Sequence, residues 1–132
     1  MTPTLLHFII CDRVRIDPEN LHLINIDGLR TSIRSNNNPP FPCPIPLLTT
    51  LVIFMGGQGT FELSTRIVDD AEGNLVSTSV ESRPIKFVGD PRGVKGVKIF
   101  VQHCVIPRQG LYWVELLLSG DVIARQPIRV SA

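Results

Sequence analysis

Thirty-five of the 132 residues are Val, Ile or Thr against three Ala, and this ratio constrains the fold more than any single motif. Branching at Cβ removes rotamers in a helix but packs well on a pleated surface, so the chain should be built from strands. Eleven Pro and ten Gly fall between apolar runs, as turns do in a many-stranded domain. The 43% hydrophobic content excludes a disordered chain. No run approaches the ~20 apolar residues that a membrane-spanning helix needs. Thirteen basic and twelve acidic residues leave a net charge of +1, which is no footprint for nucleic acid or an anionic membrane.

Periodicity places the strands. Residues 5–16 are apolar in both phases to Cys11, after which Asp12, Arg13 and Arg15 alternate with Val14 and Ile16, as in a strand leaving the core. A second strand is expected over 21–33, with Leu21, Leu23, Leu29 and Ile33 in one phase and a bend at Gly28. Residues 35–46 hold five Pro in their last eight positions, which predicts an extended, polyproline-like crossover rather than a central strand. Residues 47–55 read as a strand buried on both faces, 60–68 as an alternating strand, and 75–82 as a polar edge strand beyond a 69–74 hairpin turn. Residues 83–96 read as an irregular connection, followed by strands over 97–106, 111–118 and 122–130. About eight strands at this spacing predict a single domain over 1–132, an all-β antiparallel sandwich, with a closed barrel as the other solution.

Gly110-Leu111-Tyr112-Trp113-Val114-Glu115-Leu116, followed by Gly120 and Pro127-Ile128-Arg129-Val130, resembles the last hairpin of an immunoglobulin-like sandwich. Gly110 and Tyr112 stand where such domains place a tyrosine corner, whose hydroxyl ties the strand start to upstream backbone. Val114 stands where antibody domains have Cys, so their intersheet disulfide is not implied. More narrowly, the chain resembles a family of small bacterial proteins of unknown function. That resemblance rests on Cys11-Asp12-Arg13-Val14-Arg15 at the end of the opening strand and on the closing Gly-x-Tyr-x-x-Glu-Leu hairpin. It implies a fold and brings no activity.

The chemistry-bearing residues are sparse. Cys11, Cys43 and Cys104 are odd in number, and the opening segment lacks the positive region and cleavage site of a signal peptide. Reduced thiols in the cytoplasm are therefore expected. His103 and Cys104 are neighbours, so in a strand they point to opposite faces. His7, Cys11 and Cys104 could meet as zinc ligands across sheets, but no zinc-motif spacing is present, and buried small hydrophobes are the better reading of the cysteines. Asp69, Asp70, Glu72 and Asn74 offer hard oxygens in one turn without the calcium-loop pattern, so turn chemistry accounts for them. The 89–98 segment is glycine-rich and basic but precedes a strand, where a phosphate loop would open a helix. There is no nucleophile elbow.

These readings point to a non-enzymatic interaction module, a subunit or adaptor of a larger bacterial assembly. No cofactor or metal is expected, and a protein partner or self-association is. A small-ligand or metal-binding sandwich is the alternative. The candidate contact is Phe8 with the rigid loop residues Pro40, Phe41 and Pro42, since an aromatic on a stiff loop loses little entropy on binding. The opposing reading is that Phe41 and Ile45 fold back to plug the end of the sandwich.

Overall fold

The computed structural model describes residues 1–19, 23–78 and 82–132, the side chains of residues 46, 77, 78, 102 and 103 excepted, and it is all-β. Among the described residues the strands are β1 (Thr4–Ile16), β2 (Ile24–Leu29), β3 (Ser32–Arg34), β4 (Cys43–Met55), β5 (Gln58–Asp69), β6 (Leu75–Thr78), β7 (Arg83–Val88), β8 (Val94–Ile106), β9 (Gly110–Leu118) and β10 (Asp121–Ser131). One sheet has the order β2-β1-β4-β8. The other runs β3-β10-β9-β5-β6, with β7 sharing the far edge of β5. Pairing is antiparallel except where β3 lies parallel to β10.

Alternation explains how the sheets meet. Leu48, Val52 and Phe54 of β4 and Val97, Ile99 and Val101 of β8 are buried from one side. Leu63 and Ile67 of β5 and Tyr112, Val114, Leu116 and Leu118 of β9 close on them from the other, in one core cluster. Period-2 burial is what two stacked sheets demand of their strands. Thr50 lies in the same buried phase, and its hydroxyl donates to the Ile99 carbonyl at 2.9 Å, so its oxygen does not go unsatisfied. At one flank Gln126 of β10 reaches across and donates to the Phe8 carbonyl at 3.2 Å.

Four expectations change. The strands number ten among the described residues, not eight, and one pair is parallel. The strand expected over 21–33 is two strands in different sheets: β2 pairs with β1 and β3 with β10. Its Leu21 lies outside the described residues. Proline does enter a strand, because β4 begins at Cys43 and Pro44 pairs with Val105. The reason is that β1 pairs with β4 only as far as Thr49, so Cys43–Leu48 has a neighbour on one side and a missing N–H costs no ladder bond there. At the level of Pro46 both β4 and β8 turn over, so that Ile45 and Cys104 are buried as well as Leu48 and Val101. Finally, residues 83–88 are not irregular. Ile85 and Phe87 are buried and alternate with Lys86 and Val88, the β7 pattern hidden behind Pro84. The polar edge strand expected over 75–82 is present as β6, last in its sheet, as far as Thr78; residues 79–81 lie outside the described residues.

Candidate functional site

The structure sorts the candidate residues. Phe8 is 5% exposed in the main core, so its ring offers no contact surface; burying it is worth more to this sandwich than exposing it. Pro40 and Phe41 are half-buried and Pro42 is exposed, with Phe41 packed against the core cluster and Ile45 inside it. The loop is drawn in by Ser35, whose hydroxyl donates to the Pro40 carbonyl at 2.6 Å and accepts from the Asn37 N–H. The plug reading fits Phe41 better than the contact reading. Tyr112 does form a corner: the ring is buried and its hydroxyl donates to the Arg108 carbonyl at 2.6 Å, two residues before Gly110 opens β9.

All three cysteines are buried and none is in a disulfide. His7, Cys11 and Cys104 do not converge, because Cys104 belongs to the core while Cys11 faces the outside of the four-stranded sheet. Burial, reinforced by the neighbouring Asp12 carboxylate, pushes the Cys11 thiol up, which keeps it protonated and unreactive. The His103 side chain lies outside the described residues. In the 89–96 segment the amides are spent internally: Arg92 N–H on the Asp90 carboxylate, Gly93 N–H on the Asp90 carbonyl and Gly89 N–H on the Gly57 carbonyl.

The outside of the four-stranded sheet carries a structure of its own. Beyond Cys11, β1 leaves β4 and pairs with β2. This hairpin is amphipathic. Val14, Ile16, Ile24 and Ile26 share one side by register, and Arg13, Arg15 and Asp27 share the other, joined by ion pairs at 3.2 and 2.8 Å. Its apolar side packs over Leu51, Ile9 and Ile53, and Ile24 Cδ1 reaches to 3.7 Å from the Cβ position of Gly96 on β8. Asp12 holds the bend: its carbonyl accepts from Thr49 and its carboxylate from Arg30 at 2.6 Å. Gly28 suits its place, since φ is +67° and a Cβ there would press on the Asp12 carboxylate. The motif 11–15 is thus a hinge and clamp. Ile16, Ile26 and Leu29 nevertheless stay exposed, and Phe100 on the same sheet is 44% exposed.

The outside of the six-stranded sheet holds a groove of about 600 Å³ over β5, β9 and β10. Alternation puts Trp113, Glu115 and Leu117 there, opposite Val68, Arg66 and Ser64. Arg66 donates to Glu115 at 2.7 Å. The Trp113 indole N–H donates to Asp70 at 2.8 Å, and the Arg125 guanidinium lies 4.2 Å from the indole centroid. The 69–74 turn forms one wall. Asp69 accepts from the Glu72 and Asn74 amides, at 2.8 and 3.3 Å, and from Arg108. Those amides above all, with Arg108, hold its carboxyl below the usual range. Sequence reasoning missed this groove, although the chain's one Trp two residues from a Glu on an outward phase was a usable signal.

Fold and groove together define an all-β two-sheet domain with one polar outer face built around Trp113. The chain belongs to the family of unknown function DUF6941, whose model matches residues 6–131. No curated protein matches it. Among solved structures it is similar to part of the alkylpurine DNA glycosylase AlkC of Pseudomonas fluorescens, solved bound to DNA containing an abasic site analogue. That match has a TM-score of 0.53 at 10% identity over 98% of this chain and 30% of that one. A β-D-glucoside glucohydrolase from Trichoderma reesei gives a TM-score of 0.48 at 12% identity, over 98% and 19% of the two chains. The chain spans less than a third of either enzyme, and its likeness to the glycosylase is one of fold. No helix among the described residues is long and apolar enough to cross a membrane.

Proposed function

We propose that the chain is a non-enzymatic interaction module, an immunoglobulin-like sandwich that serves as a subunit or adaptor in a larger bacterial assembly in the cytoplasm. The Tyr112 corner supports the immunoglobulin-like reading. The observation that carries the function is the incomplete cover on the four-stranded sheet. The hairpin seats Val14 but leaves Ile16 and Ile26 exposed on its apolar side, and Phe100 and Leu47 of the same sheet are exposed too. Several large apolar side chains left in water on one side of a small domain mark a protein contact. The near-neutral charge speaks against nucleic acid as the partner.

The partner testable without further knowledge is a second copy, because an apolar surface with its charges already paired is compatible with itself. Molar mass by light scattering should rise with concentration, and Phe100→Glu should hold the protein monomeric at an unchanged melting temperature. A wild-type chain that stays monomeric at high concentration would sink self-association and bring the ligand-binding alternative forward.

A further inference from the structure

The groove over β5, β9 and β10 has a chemistry that the interaction reading does not use. Its charges are balanced: Arg66 is paired with Glu115, Asp69 with Arg108 just outside the groove, and Asp70 at the indole N–H and Arg125 over the indole ring carry opposite signs. A polyanion or polycation would meet no field here. The groups are also mixed in hydrogen-bonding sense. The guanidiniums of Arg66 and Arg125 keep N–H donors beyond the bonds described, while Asp70 and Glu115 each keep a second carboxylate oxygen as acceptor.

The half-buried indole, held at its N–H by Asp70 and at its ring by Arg125, lines the groove as a fixed apolar surface. Val68, Leu75 and Leu117 add apolar wall. The volume of about 600 Å³ falls within the usual range of ligand sites, and the groove lies along a sheet face with solvent access. A ligand that suits all of this is uncharged, carries groups that both donate and accept, and has an apolar C–H face to lay on an aromatic ring. Hydroxyls on a pyranose ring have those properties. We infer that this groove binds a neutral oligosaccharide, with Trp113 as the platform and Asp70 and Arg125 as the hydroxyl-binding groups.

Trp113 is the chain's one tryptophan, so its fluorescence reports on the groove and on nothing else. The titration uses maltotetraose, cellotetraose and chitotetraose, each up to about 10 mM, a range that covers weak recognition. A saturable change with at least one of them is expected, weakened tenfold or more by Arg125→Ala and by Asp70→Asn. Both side chains are at the surface of the groove, and a cooperative thermal melt shows that each variant is folded. Phe100→Glu, on the opposite sheet, should titrate like wild type, which separates this result from the self-association test. The inference is overturned if none of the three sugars gives saturation, or if both folded variants bind as wild type does. It is equally overturned if a charged hexapeptide, acidic or basic, saturates where the sugars do not.

Discussion

On the outside of the four-stranded sheet Leu51 is buried because the chain lays a hairpin of its own over it, whereas on the outside of the six-stranded sheet Trp113 and Glu115 line an open groove. The difference is written into the strands. β1 and β4 are apolar in both phases, so their outer side needs a cover; β5 and β9 put Arg66, Ser64 and Glu115 outward, and that side can stay wet. A sandwich of this size thus has two kinds of outer surface, one that hides apolar side chains and one that organises polar ones around a single aromatic.

The sharpest way to break this contrast is to remove the same atoms from each side. Leu51→Ala should cost about 2–4 kcal/mol in denaturant unfolding, since a fully buried leucine leaves a cavity. Leu117→Ala, half-buried on the groove side, should cost about 1 kcal/mol or less by the area it keeps from water. Equal losses would mean that the hairpin does not protect its floor.

A smaller effect tests the corner that fixes the start of β9 and hence the groove. Tyr112→Phe keeps the ring and removes the hydroxyl bond to the Arg108 carbonyl, at a cost of about 1 kcal/mol. No measurable change would show that the carbonyl finds another donor. Smaller again is the clamp: Arg30→Ala removes an exposed ion pair to Asp12 and should lower global stability by under about 1 kcal/mol. Hydrogen exchange over residues 12–16 and 24–29 should rise with it, while exchange over β9 stays as before. Uniform exchange across both regions would argue that the hairpin does not open separately.

The last test is one of pH on the groove wall. Asp69 has its folded pKa lowered, so its stabilising effect is present above the ordinary aspartate value of about 3.9 and is lost as pH falls through the lower folded value. Asp69→Asn should therefore flatten the acid limb of a stability-against-pH curve and leave its shape near neutrality. An unchanged acid limb would assign the turn's stability to its backbone alone.

Much of the scaffold was legible. The apolar run of β4, the alternation of β5, the closing β9–β10 hairpin and the tyrosine corner all follow from local pattern and turn residues. What misled were places where tertiary context decides. Pro44 sits in a strand because β1 has already left that edge, and no local rule sees the departure. Phe8 lies in an uncharged run whose two phases look alike, so the sequence does not say which faces the core. The groove was the least legible feature. Arg66, Asp70, Trp113, Glu115 and Arg125 come from three segments and, taken one at a time, each reads as an ordinary solvent-facing residue.

The position of β4 has a consequence for how the chain assembles in time. It pairs Thr49 with Cys11 on one side and with Phe100 on the other, so one sheet waits for partners about 40 and 50 residues away in both directions. The second sheet waits longer, because β3 at Ser32–Arg34 is completed only by β10 at Arg129–Ser131. The β1–β2, β5–β6 and β9–β10 hairpins close locally and early. A growing chain would hold the apolar run of β4 without its β8 partner until about residue 106, with the amphipathic β1–β2 hairpin as its earliest local cover. The flap that later leaves Ile16 and Ile26 partly bare would first have served the nascent chain as its own chaperone.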